Sequence, residues 1–245
     1  LSGQFKIVRN PKSYNSQVGV PLSVLLMEER YNLAIFEAGI SQPGEMQNLA
    51  AIIQPEIGIF TNIGDAHQEG FVLTEQKISE KLLLFSSCKK LVYCEDHEKP
   101  ALLINEFCAE NNIEKLGWSI KNRASKLFFS YKTGNGSTQI SALYQNHEIR
   151  FKIPFSDFSS LENACHCFAA ATALNADFSI IADEFKNLFP VEMRLEIKRG
   201  INNCLLVNDY YNSDLNSLAI ALSVLQQQAA KAQLSKLVIL SDIKQ

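Results

Sequence analysis

Apolar and polar positions along this chain change period part-way through. In the first half, Phe5-Lys6-Ile7-Val8, Leu33-Ala34-Ile35-Phe36, Ile57-Gly58-Ile59-Phe60, Leu91-Val92-Tyr93-Cys94 and Leu116-Gly117-Trp118-Ser119-Ile120 read as strands. Residues 20–29, 44–52, 74–87 and 99–111 between them read as helices, with Pro43 opening the second and Thr74 as N-cap of the third. Apolar strands without polar alternation belong to parallel sheets covered on both faces. Leu33 to Phe36 is therefore expected to be buried, and the repeated βα rhythm predicts a doubly wound, mostly parallel α/β sheet.

From Leu127 the rhythm changes. Leu127 to Tyr131, Gln139 to Leu143 and Glu148 to Ile153 predict an antiparallel meander appended to the parallel sheet. Thr133-Gly134-Asn135-Gly136-Ser137 and Gln145-Asn146-His147 supply the turns. Helices follow at 161–174 and 179–188, then a strand at Arg194 to Ile197. Leu205 to Asp209, a helix over 216–230 and Leu237 to Asp242 predict a new βαβ series. The expected division is a central domain over 1–198 and the start of a Rossmann-like domain over 199–245.

Composition narrows the class without fixing a function. With 245 residues, 47% hydrophobic and 20% charged, it is that of an ordinary globular chain. A net charge of -3 does not suggest a nucleic-acid surface. No apolar run approaches membrane-helix length, so no membrane insertion is expected. The six cysteines follow no zinc-ligand or disulfide-framework spacing, which points to a reducing cytoplasm. Leu1 opens neither with Met nor with a signal-peptide layout, and the chain is expected to be part of a longer one.

Candidate chemistry gathers where strands end. Open α/β sheets place ligands beyond the carboxyl ends of their strands. Glu37 ends one apolar run, and His67 follows another in Thr61-Asn62-Ile63-Gly64-Asp65-Ala66-His67. A buried carboxylate at Glu37 needs a cation or donor beside it, whereas His67 reads equally as a ligand or as a turn cap. Lys81 lies four residues after Lys77, and with Glu75 and Glu80 it fits a solvated helix face as well as a site. Cys165-His166-Cys167 looks like a metal motif, but neighbouring helical residues point apart, so core packing is expected. Thr133 to Thr138 echoes a phosphate loop yet lacks its lysine, so a hairpin turn is expected. The chain holds no G-x-x-x-x-G-K-[ST] segment, so any nucleotide site within it is expected to be incomplete.

Several blocks in one order resemble the Mur ligases, ATP-dependent enzymes of cell-wall precursor synthesis. Tyr14-Asn15-Ser16-Gln17-Val18-Gly19-Val20-Pro21 is similar to an N-N-x-I-G-V-P segment, with Ser16 in place of the second asparagine. Glu37-Ala38-Gly39 with Gly44-Glu45-Met46 is similar to the E-x-G and G-E-[IM] elements. Thr61 to Phe71 is similar to T-N-I-x-x-A-H-x-E-G-F, the most specific of these matches. Later, Glu162-Asn163-Ala164-Cys165-His166 stands where H-N-x-x-N is usual. Phe189 to Glu196 resembles F-x-P-x-x-x-R-x-E, Asp209 to Ser217 resembles D-x-Y-N-A-N-P-x-S, and Leu240-Ser241-Asp242 stands for L-G-D.

The resemblance implies a P-loop-type ligase using ATP and Mg²⁺, with this chain alone inactive. Implied partners are UDP-N-acetylmuramoyl-tripeptide and D-alanyl-D-alanine, and the departures are similar to a form fused to alanine racemase. Lys81, ten residues after Phe71, stands where the family carries a carbamylated lysine. With Glu37 and His67 it would serve catalysis and hold Mg²⁺, which prefers oxygen ligands. Asn15, Asn163, Arg194, Asp209 and Asn212 would contact nucleotide. Alternatives are folylpolyglutamate synthase, another Mur ligase, or a noncatalytic α/β binding module.

Overall fold

The computed structural model describes residues 1–63, 71, 73–189, 194–210 and 215–240, with side chains 215 and 216 left aside. His67 and Asn212 lie outside these residues. Two compact units emerge. Among the described residues, the larger holds those up to 187 and the smaller those from 188 onward.

The larger unit is built on a six-stranded sheet in the order β3-β4-β5-β6-β7-β8. Strands β3 (Ile57–Phe60), β4 (Lys90–Cys94), β5 (Glu114–Ser119) and β6 (Leu127–Gly134) run parallel. Strands β7 (Ser137–Tyr144) and β8 (His147–Ile153) continue it antiparallel. Successive residues of β4 explain why its sequence lacks alternation. Leu91 and Tyr93 enter one apolar cluster and Val92 and Cys94 the other, so both faces are covered.

On one face pack α2 (Glu45–Ile53), α3 (Thr74–Leu82) and α4 (Glu98–Glu110), which contribute Met46, Leu49, Ile78, Leu82 and Ile104. On the other, α5 (Phe158–Ala173) and α6 (Phe178–Glu184) cover Trp118, Phe129 and Phe151. Phe168, fully buried, stacks on Phe151 at 5.1 Å and on Phe178 at 5.3 Å. Asp157 starts α5 by accepting a hydrogen bond from the Ser160 N–H at 2.8 Å, and Asp177 caps α6 through Ser179.

The meander extends the parallel sheet at its β6 edge, as expected. Strand β6 meets β5 through two residue pairs, Trp118 with Leu127 and Ser119 with Phe128, then runs on to Gly134. At about 3.3 Å per residue, it overhangs the carboxyl end of β5 by roughly 20 Å. Both hairpin turns take the left-handed conformations that suit the strand twist. They are Asn135 (φ 50°) with Gly136 (φ 73°), and Gln145 (φ 50°) with Asn146 (φ 65°).

Several expectations need correction. Strands β1 (Ile7–Arg9) and β2 (Leu33–Ile35) form a separate parallel pair. Ile35 is 40% exposed because β2 has one strand neighbour and no described layer covers its apolar run. Helix α1 (Gly19–Val24) is shorter than predicted. Leu73, not Thr74, occupies the N-cap of α3, which ends at Leu82 and tightens into a 3-10 turn over Leu83–Phe85.

In the smaller unit, β9 (Glu196–Arg199) and β10 (Leu205–Asn208) pair antiparallel, and β10 is the first strand expected of the βαβ series. Helix α7 (Leu215–Ala232) follows. Residues 237–240 form no strand, since no described strand pairs with them; Leu237 and Ile239 are exposed, and 241–242 lie outside the described residues.

Candidate active site

Glu37 follows β2, and its placement begins with Asn10, just past β1. Asn10 is buried, and its side chain receives the Glu37 N–H at 2.7 Å while donating to the Tyr14 carbonyl at 2.6 Å and the Glu37 carbonyl at 3.3 Å. One amide thereby ties two strand ends to the loop carrying Asn15. The Asn15 amide donates to the Glu37 carboxylate at 2.7 Å, and the Gly39 N–H donates to the Asn15 carbonyl at 2.8 Å. Glu37 is exposed rather than buried, so Asn15 orients the carboxylate without neutralising it. Gly19 lets this loop close, because a Cβ there would lie 2.7 Å from the Tyr14 backbone.

Helix α3 does not present the solvated face that its charges allow. Lys77 is buried and Lys81 half-buried. Burial, reinforced by the neighbouring Lys77 charge, pushes the Lys81 amine below its ordinary pKa, and the Glu37 carboxylate partly opposes this. The structure therefore brings Glu37 within electrostatic reach of Lys81. Glu80, beside Lys81, turns the other way and accepts the Gly44 and Met46 N–H groups at 2.7 and 3.2 Å, capping α2. Glu75 pairs with Lys99 at the surface at 2.7 Å.

A second polar group lies where β4, α4 and α5 meet. His97, at the N-cap of α4, contacts the buried Glu162 of α5 through Nε2 and Oε1. The Glu162 hydrogen bond raises the His97 pKa. Burial pushes the Glu162 carboxyl up, but His97, His166 and Asn62 together hold it below its ordinary value. The pair is thus ionised between the lowered Glu162 value and the raised His97 value. Its stability is lost as pH rises past the latter or falls past the former.

His166, one turn further along α5, accepts a hydrogen bond from Trp118 Nε1 at 3.1 Å. Its Nε2 is the buried side-chain atom without a hydrogen-bond partner among the described residues. Burial lowers its pKa to about 4, so it is neutral near pH 7. Cys165 is buried and Cys167 exposed, so the Cys-His-Cys run does not converge, as helix geometry requires.

Asn163 and Arg194 are exposed, and Asp209 accepts the Leu195 N–H at 3.1 Å inside the smaller unit. Sequence reasoning missed Asn10, Glu80 and His97. Only Asn10 gave a signal, as an amide closing a strand. The departures at Glu162 and His166 were visible, but their partners His97 and Trp118 were not.

The family model of the Mur ligase middle domain matches residues 2–171. The chain belongs to the Mur ligase middle-domain family. A UDP-N-acetylmuramoyl-tripeptide--D-alanyl-D-alanine ligase from Borreliella burgdorferi is 29% identical over 89% of this chain and 46% of its own length. The ligase of the same name from Bacillus subtilis is 24% identical over 99% of this chain and 51% of its own. The chain thus spans about half the length of these relatives. MurF from Acinetobacter baumannii shares the fold with a TM-score of 0.83 at 21% identity, covering 93% of this chain and 50% of that one. MurF from Thermotoga maritima, in complex with ADP, gives 0.77 at 18% identity, covering 92% and 52%. These Mur ligases also carry the expected α/β architecture.

Proposed function

We propose that this chain is the central part of an ATP-dependent ligase joining D-alanyl-D-alanine to UDP-N-acetylmuramoyl-tripeptide in the cytoplasm. The observation that carries the reading is the exposed Glu37 carboxylate oriented by Asn15 at 2.7 Å, whose charge acts on a half-buried Lys81 amine with its pKa pushed down by burial. Relatives of that name support it. Among the described residues, no helix is long and apolar enough to cross a membrane.

These residues fit Mg²⁺-ATP. Glu37 offers an exposed anionic oxygen held by one donor, as a hard cation requires. Lys81 is suited to carbamylation, because the neutral amine, favoured by burial, is the form that attacks carbon dioxide. Carbamylation turns a cation into an oxygen ligand, which would complete a metal-binding wall with Glu37 and His67. When bound, Mg²⁺ would offset the repulsion between the tripeptide carboxylate and the γ-phosphate during acyl-phosphate formation.

The remaining residues position and exclude. Asn10 and Asn15 fix Glu37 in advance, so little reorganisation is needed. Asn163 and Arg194 would contact nucleotide, and Asp209 and Asn212 would close over it, keeping water from the acyl phosphate before the dipeptide amine attacks. A folate-type ligase is the nearest alternative. The apo form of FPGS from L. casei shares the fold with a TM-score of 0.62, below the MurF structures.

In the longer protein, Lys81→Ala should lower ligation strongly without rescue by bicarbonate, and ¹³C-bicarbonate should give a carbamate carbon signal in the parent protein alone. Undiminished ligation by Lys81→Ala would sink the assignment.

A further inference from the structure

We propose a second metal site, for a borderline divalent cation such as Zn²⁺, formed by Cys94, His97 and Glu162. It is separate in residues and in ligand chemistry from the Glu37 and Lys81 wall. Cys94 closes β4, His97 occupies the N-cap position of α4 and Glu162 lies just past the first turn of α5, so three elements each supply one ligand. The Cys94 Sγ, a His97 ring nitrogen and a Glu162 oxygen all lie within 4.8 Å of one another. They line a cavity of about 160 Å³ with Asp96, Trp118 and Cys165.

The donor set decides the class of ion. One sulfur, one imidazole nitrogen and one carboxylate oxygen suit zinc or a related transition ion, whereas Mg²⁺ prefers oxygen alone. Three protein ligands leave a fourth tetrahedral position, which the cavity can fill with water. Binding replaces the His97 to Glu162 hydrogen bond. Metal bonds of about 2.1 Å set the nitrogen and oxygen about 3.4 Å apart at a tetrahedral angle. The Cys94 thiol gives its proton to solvent and neutral His97 coordinates through its lone pair, so one or more protons leave per ion bound. An ion here would tie the start of α5, which carries Asn163, to the end of β4.

Co²⁺ titration of the metal-free chain, in a background with exposed Cys167 and Cys204 changed to serine, tests this directly. The expected result is one equivalent bound, with a thiolate-to-cobalt charge-transfer band and tetrahedral d–d bands. Zn²⁺ should displace it and millimolar Mg²⁺ should not. Cys94→Ser should abolish the charge-transfer band, and His97→Gln or Glu162→Gln should weaken binding at least tenfold. A Zn²⁺-dependent rise in melting temperature, lost in the folded Glu162→Gln variant, gives a second readout if the cysteine change unfolds the chain. Absence of the band in the parent, its survival in Cys94→Ser, or unchanged affinity in both His97→Gln and Glu162→Gln would overturn the site.

Discussion

Replacing His166 with asparagine should flatten the acid limb of the stability profile. His166 is 4% exposed, and burial lowers its pKa from 6.5 to about 4. The unfolded chain therefore takes up a proton below about pH 6.5 that the folded chain refuses until about pH 4. Stability falls with pH across that window at about 1.4 kcal/mol per unit. Integrated, this single group costs about 2 kcal/mol by pH 5 and about 3 kcal/mol by pH 4. Asparagine does not titrate. At pH 7 the variant should be the weaker protein by about 1 to 2 kcal/mol, having lost the histidine's fit to Trp118. Towards pH 5 the gap should close or reverse. Urea titrations in metal-free buffer at pH 7, 6 and 5 can follow Trp118, the only tryptophan. Acid-sensitive groups away from His166 are common to both proteins and cancel, whereas Glu162 keeps its main partner His97 and loses only the smaller His166 contribution. A gap that stays constant from pH 7 to pH 5 would refute the buried neutral imidazole.

Glu80→Ala should destabilise by about 0.5 to 2 kcal/mol in urea melts, because two N–H groups at the start of α2 lose their acceptor. Gly58→Ala should cost about 1 to 3 kcal/mol by the same measurement, since its Cβ would meet Phe85 at 2.4 Å and Leu91 at 2.7 Å. Phe168→Ala should cost about 3 to 5 kcal/mol, removing the ring at the centre of the stacked Phe151 and Phe178 contacts. Glu162→Gln should move the NMR titration midpoint of metal-free His97 downward, because the carboxylate is the main cause of its raised pKa.

How far the sequence revealed the molecule depended on whether a signal was local. Strands β3 to β5 were legible because a sheet covered on both faces demands unbroken apolar runs, and the β6 to β8 hairpins because Asn-Gly and Gln-Asn mark their turns. The same rule misjudged β2, whose apolar run has no described covering layer, and 237–240, which has no described strand partner. Helix α3 shows the limit for side chains. Its charges at Glu75, Lys77, Glu80 and Lys81 fit a solvated face, but tertiary packing buries Lys77 and sends Glu80 to another helix. Glu37 and Lys81 were found through motif spacing. Their electrostatic coupling, and the meeting of His97 with Glu162 across 65 positions, exist only in the folded chain.

The overhanging wall of β6, β7 and β8 has a kinetic consequence. Its pairings join residues close in sequence across two-residue turns, whereas β3, β4 and β5 need a helical crossover between each pair. Hairpins of this kind close in about 1 to 10 μs, before long-range parallel pairing can repay its loop entropy. The meander should therefore assemble first and offer the start of β6 as a template on which β5 docks through Trp118 and Ser119. In pulse-labelled hydrogen exchange, its amides should gain protection ahead of those in the parallel strands.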